Sequence, residues 1–148
     1  MTRTQPAPPK PPSPPNPKSK IENPKSKLAS TANSFRFAFA GLFYVFRSQR
    51  NFRIHIAIAL VCVLLGVLLG LSVTEWAVFG VMVTVVLAAE MTNTMIEALV
   101  DLVSPGYQPL AKISKDVAAG VVLLTAIGAV VVGLLIFGSK LLGAFHLL

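Results

Sequence analysis

Three apolar runs, each long enough to cross a bilayer, leave this chain little choice of fold: residues 54–71, 76–103 and 117–137. A membrane-spanning helix needs about 20 mostly apolar residues. Within hydrocarbon every backbone N–H and C=O must be paired inside the segment or around a closed barrel. Runs of this length, separated by short polar turns, therefore predict an all-α integral membrane protein. Charged residues make up only 13% of the chain, about half the share usual in soluble domains. With 148 residues and three spans, one subunit offers few helices, so an oligomer is expected.

The basic residues set the orientation. Ten of the thirteen Lys and Arg lie at or before Arg53, two more (Lys112 and Lys115) follow the second run, and Lys140 alone falls on the opposite side. By the positive-inside rule the N-terminus and the Ser104–Asp116 loop are cytoplasmic and the C-terminus is outside. Net charge is +7, but the basic residues lack an aromatic-interleaved nucleic-acid motif and lead straight into a span. Anionic lipid headgroups are the expected partner, not nucleic acid. The single cysteine, Cys62, sits inside an apolar run, which excludes an internal disulfide and a thiolate metal site; it reads as packing.

The boundaries follow from composition. Residues 1–29 carry nine of the eleven prolines, interspersed with Lys, and read as a disordered or polyproline II tail without the apolar core of a signal peptide. Residues 30–138 form the membrane domain and 139–148 a C-terminal tail. Within the domain, residues 31–49 carry Phe35, Phe39, Leu42, Phe43 and Phe46 at helical spacing. They predict an amphipathic helix lying in the membrane interface. Gly66 and Gly70 form a GxxxG pair, a feature of close helix contacts.

The second run is interrupted by Glu90, Asn93, Glu97 and Asp101. Spacings of 3, 4 and 4 place all four on one helical face. Carboxylates are costly in hydrocarbon and mark function by default. Glu90, the deepest of the four in the apolar run, suits the part of a proton acceptor. Glu97 or Asp101 can hold a hard divalent cation through oxygen. Lys115-Asp116 returns to the same cytoplasmic level, where a Lys can meet phosphate oxygens. Register-fixing ion pairs with Arg50, Arg53 or Lys115 are the bland alternative, and a proton-linked transporter or a non-catalytic scaffold are the rival functional readings. Gly133–Lys140 reads GLLIFGSK, but a phosphate loop needs Lys before Ser. His55 and His146 are too far apart in topology to share a metal.

The segment EMTNTMIE, residues 90–97, followed by Asp101 and then Lys115-Asp116, resembles the prokaryotic diacylglycerol kinase family, whose pattern is E-x-x-N-[TS]-x-I-E-x-x-x-D with a K-D pair opening the last span. FAFAGLFYVFRSQRNFRIH, residues 37–55, resembles the family's surface helix and entry to the first span. The loop and third span look most like the undecaprenol-kinase branch. The resemblance implies a homotrimer of three-span subunits in a bacterial plasma membrane. It also implies transfer of phosphate from ATP, with Mg²⁺, to the hydroxyl of undecaprenol or diacylglycerol. By position it implies Glu90 as catalytic base, Glu97 as metal ligand, and Asn93 and Asp101 as polar active-site residues. Lys115 then contacts phosphate and Asp116 the nucleotide, with Arg53 and His55 near the nucleotide site. The family usually has a metal-binding Glu where this chain has Gln49, a weaker ligand.

Overall fold

The computed structural model describes residues 24–145, and every described element is helical. Four helices follow in order: α1 (Pro24–Ser48), α2 (Arg50–Leu68), α3 (Val73–Val103) and α4 (Pro109–Phe145). Three of them, α2, α3 and α4, are long and apolar enough to cross a membrane. Most of the Pro- and Lys-rich tail lies outside the described residues, as does His146.

Several helix ends differ from those expected. The first helix starts at Pro24, not 31, and the last at Pro109, not 117. Proline is tolerated in a first turn, where its missing N–H would go unpaired in any case. The last helix also runs to Phe145, through residues expected as a tail. GSKLLGAF contains no Pro, and its hydrophobic residues let the helix continue.

The described chain falls into two units that divide within α1, between Phe37 and Ala38. In the first, Phe35 and Phe37 are exposed. In the second, Phe39, Phe43 and Phe46 of α1 are exposed and Val45 is buried. α3 is central to this second unit, packing along α4 and, less extensively, α2. Its buried residues are Val86, Ala89, Glu90 and Thr94. Most other apolar side chains of α2, α3 and α4 face outward, as expected of surfaces meant for lipid or a neighbouring subunit.

The α2–α3 turn is built for rigidity. Leu71 N donates to Gly66 O at 3.0 Å and Gly70 N to Val67 O at 3.3 Å, the paired bonds of a Schellman cap. Gly70 takes the left-handed conformation this cap needs, with φ 64°. Ser72 and Glu75 then cap α3 reciprocally: Glu75 N donates to Ser72 Oγ at 3.3 Å and Ser72 N to Glu75 Oε2 at 2.6 Å. Lys140 of α4 pairs with Glu75 at 3.1 Å, tying the supposed tail to this end of the bundle. The glycine pair thus serves the turn: Gly70 supplies the conformation and Gly66 the space, since a Cβ on Gly66 would lie 2.9 Å from Trp76 Cη2.

Candidate active site

At the other end of α2 the polar residues of α3 meet the start of the span. Gln49, the single non-helical residue between α1 and α2, is extended at φ −101° and ψ 116°. It turns its side chain to α3, where Nε2 donates to Glu97 Oε2 at 3.4 Å. Asn93, one turn below on the same face, donates from Nδ2 to Glu97 Oε1 at 2.9 Å. Both oxygens of Glu97 are thus held by amides.

A second rung lies deeper. His55 Nε2 is 3.3 Å from Glu90 Oε1, with side-chain exposures of 23% and 2%. The approach lacks hydrogen-bond alignment, so Glu90 Oε1 is a buried acceptor without a partner; Asn93 Oδ1 is another. Six residues along α2 match seven along α3 running the opposite way, about 9 Å and about 10.5 Å at helical rise. This explains why Gln49–Glu97 and His55–Glu90 form successive rungs. It also makes Glu90 shallower than its place in α3 alone implies: α3 outruns α2 by its last turns, and the start of α2 is level with Glu97.

Beyond that level Asp101 pairs with Lys115 of α4 at 2.5 Å. Asp101 is two-thirds exposed. Asp116 pairs instead with Lys112, one turn back, at 2.5 Å. Arg53 Nη1 donates to the Arg47 carbonyl at 3.3 Å. Of the residues expected in the site, Gln49, His55, Glu90, Asn93 and Glu97 therefore converge. Asp101 and Lys115 form a neighbouring pair, while Arg53 and Asp116 bond elsewhere. Two contributors were not anticipated. Thr94 donates to the Glu90 carbonyl at 2.9 Å from a buried position, and Lys112 holds Asp116. The i, i+4 spacing of Lys112 and Asp116 was the available signal.

An apolar cavity of about 430 Å³ opens beside His55. It is lined by Cys62 of α2, Phe79, Met82 and Val86 of α3, and Phe137 of α4. Cys62 packs there, as its apolar surroundings implied.

The donor set fits a hard divalent cation in part. Among the described residues no three His, Cys, Asp or Glu side chains converge as a cage. Mg²⁺ commonly takes only one or two carboxylates and completes its shell with phosphate and water. Glu97 offers a carboxylate, Gln49 an amide that can turn its oxygen inward, and Asn93 Oδ1 is buried and unpartnered.

Three membrane-length helices, a buried Glu90 and an apolar cavity beside His55 define a small polytopic membrane protein with an oxygen-rich polar cluster. The chain belongs to the prokaryotic diacylglycerol kinase family, whose model matches residues 36–137, and so is a membrane lipid kinase. It is 42% identical over 137 residues to a diacylglycerol kinase of Synechocystis, covering 88% of this chain and 78% of that one. It is 38% identical over 117 residues to the undecaprenol kinase of Bacillus subtilis, covering 79% and 95%. A diacylglycerol kinase of Pseudomonas aeruginosa is 35% identical over 97 residues, covering 64% and 79%. The family implies use of ATP.

Proposed function

We propose that the chain transfers the γ-phosphoryl group of ATP to the primary hydroxyl of a membrane lipid alcohol at the cytoplasmic face, giving the lipid phosphate and ADP. The observation that carries this reading is the buried Glu90 carboxylate, with one oxygen unpartnered, next to His55, which lines an apolar cavity. A lipid chain in the cavity would bring its hydroxyl to a proton acceptor, while Glu97 and Lys115 lie toward the water. Family membership supports the reaction type.

Glu90 accepts the hydroxyl proton as the oxygen attacks the γ-phosphorus and the bridging bond to ADP breaks. Phosphoryl transfer needs mainly positioning and charge neutralisation. Lys115 supplies a positive charge once it exchanges Asp101 for phosphate. Glu97 and Gln49 would hold Mg²⁺, which neutralises phosphate charge when bound, and Asn93 keeps Glu97 in place. Asp116 and Arg53 are assigned to the nucleotide on the family resemblance. The working unit is read as a homotrimer in the bacterial plasma membrane, which would cover the outward apolar faces of α2–α4. The N-terminus is cytoplasmic by the count of twelve Lys and Arg against one. The exposed aromatic residues of α1 support a helix at headgroup depth, beside anionic lipid.

The acceptor leans toward a polyprenol, because the loop and third span resemble the undecaprenol-kinase branch. Purified protein given undecaprenol and diacylglycerol at equal mole fraction in mixed micelles tests this. The expected result is a higher kcat/KM for undecaprenol. A diacylglycerol kcat/KM more than about tenfold higher, roughly 1.4 kcal/mol in the transition state, overturns the choice of acceptor. No phosphorylation of either overturns the proposed function.

A further inference from the structure

We infer that His55 is a positioning residue for Glu90, receiving the proton that Glu90 takes from the acceptor hydroxyl and passing it toward the cytoplasm. This rests on the proposed role of Glu90 as base. The resemblance puts His55 near the nucleotide; the geometry points to the base instead. Its Nε2 lies 3.3 Å from Glu90 Oε1, and that oxygen has no hydrogen-bond partner. Its ring lines the apolar cavity.

Glu90 has a difficulty that His55 resolves. At 2% exposure the carboxylate has little access to water, yet each turnover leaves it one proton to discard. A base that stays protonated cannot act again. His55 is 23% exposed and only five residues into α2, about 7–8 Å from its cytoplasmic start. Imidazole can accept at one ring nitrogen and release from the other. In the step proposed, the lipid O–H bond breaks and the proton joins Glu90. It then passes to His55 Nε2 as Nδ1 loses its proton to water. Both groups return to their starting charge, tautomer exchange through water frees Nε2 again, and the net release is the one proton that accompanies ADP and lipid phosphate.

Among the described residues the surroundings offer no competing carrier. From α3 the titratable group facing His55 is Glu90. The α4 residues lining the same cavity are all apolar. From α2 itself Cys62 lines the cavity, and Arg53 is committed to the Arg47 carbonyl.

The test uses the full-length protein in mixed micelles with Mg-ATP and a lipid alcohol that the wild type phosphorylates; wild-type turnover secures the lipid-kinase reading separately. His55→Gln keeps a polar side chain of similar reach but cannot relay a proton, and His55→Ala leaves room for free imidazole. For both, kcat should fall by about tenfold or more, with the KM for ATP within about twofold of wild type. Added imidazole should raise the kcat of His55→Ala and leave that of His55→Gln unchanged. Thermal melts in detergent identify a variant that does not fold; if His55→Ala is lost this way, the kcat-against-KM split in His55→Gln decides. A rise in the KM for ATP with kcat retained would make His55 a nucleotide contact and overturn the inference. So would an unchanged kcat, or a folded His55→Ala that imidazole does not rescue.

Discussion

Replacing Gln49 by Glu sets a second carboxylate against Glu97, where Gln49 Nε2 now donates to Oε2 at 3.4 Å. Two like unit charges at that distance repel by about 5 kcal/mol at an effective dielectric of 20. Gln49 is only half-buried, and solvent screening brings the net repulsion down to about 1 kcal/mol. Losing the amide hydrogen bond removes about 0.5–1 kcal/mol more. Without divalent cation, Gln49→Glu should therefore be about 2 kcal/mol less stable, a fall in melting temperature of roughly 4–8 °C. A cation between the two carboxylates reverses the sign, because carboxylate is a better ligand than amide for a hard ion. The variant should thus melt below wild type in EDTA, gain more than wild type from added Mg²⁺, and reach half-maximal activity at lower Mg²⁺. Melts in detergent across a Mg²⁺ titration, with kinase rates on the same samples, read both effects. Equal melting in EDTA would show that Gln49 and Glu97 are not opposed as described. An unchanged or higher Mg²⁺ requirement would remove Gln49 from the metal shell.

Other substitutions separate chemistry from folding. Glu90→Gln keeps the shape of the side chain and removes the proton acceptor, so kcat should fall at least about a hundredfold. Its melting temperature should hold or rise, since a buried carboxylate with an unpartnered oxygen has been neutralised; turnover near wild type would sink the assignment. Lys115→Ala should raise the KM for ATP by about tenfold or more, the effect of losing a charged hydrogen bond. Stability should move by less than about 1 kcal/mol, because its pairing with Asp101 is exposed; an unchanged KM would take Lys115 away from phosphate. Gly66→Ala puts a Cβ 2.9 Å from Trp76 Cη2 and 3.2 Å from Leu71 Cδ2, and overpacking there should cost about 1–3 kcal/mol. The folded fraction should retain its KM values, since the turn lies at the opposite end of α2 from Glu90; a melt equal to wild type would show that the indole moves aside freely.

The spans were legible because hydropathy and length alone demand helices in a bilayer; α3 and α4 contain the second and third, and α2 contains the first up to Leu68, three residues short of its expected end. The line from Glu90 to Asp101 was legible because helical periodicity fixes which residues share a face. Partners across helices were not. Gln49 and Glu97 are 48 residues apart, and their meeting depends on the antiparallel register of α2 and α3, which the α2–α3 turn sets. His55 illustrates the same limit: its neighbours in sequence are apolar, and only packing puts it beside Glu90. Gly66 and Gly70 carried a spacing that fits a helix contact, but the left-handed φ of Gly70 assigns it to the turn. Helix ends were the least legible part. Pro24 and Pro109 read as breaks in a linear sequence, while at first-turn positions they begin helices. The C-terminal GSKLLGAF segment had no marker for its link to Glu75 beyond a single Lys.

The central claim is that this membrane domain moves phosphate from ATP to a lipid hydroxyl and does not carry ions. Purified full-length protein, reconstituted with undecaprenol and diacylglycerol in liposomes containing a pH-sensitive dye, should be given Mg-ATP labelled at the γ-phosphate. Labelled lipid phosphate should appear in a one-to-one ratio with ADP, with no proton flux across the liposome wall. ADP formed without labelled lipid, or proton flux without ATP consumption, would contradict it.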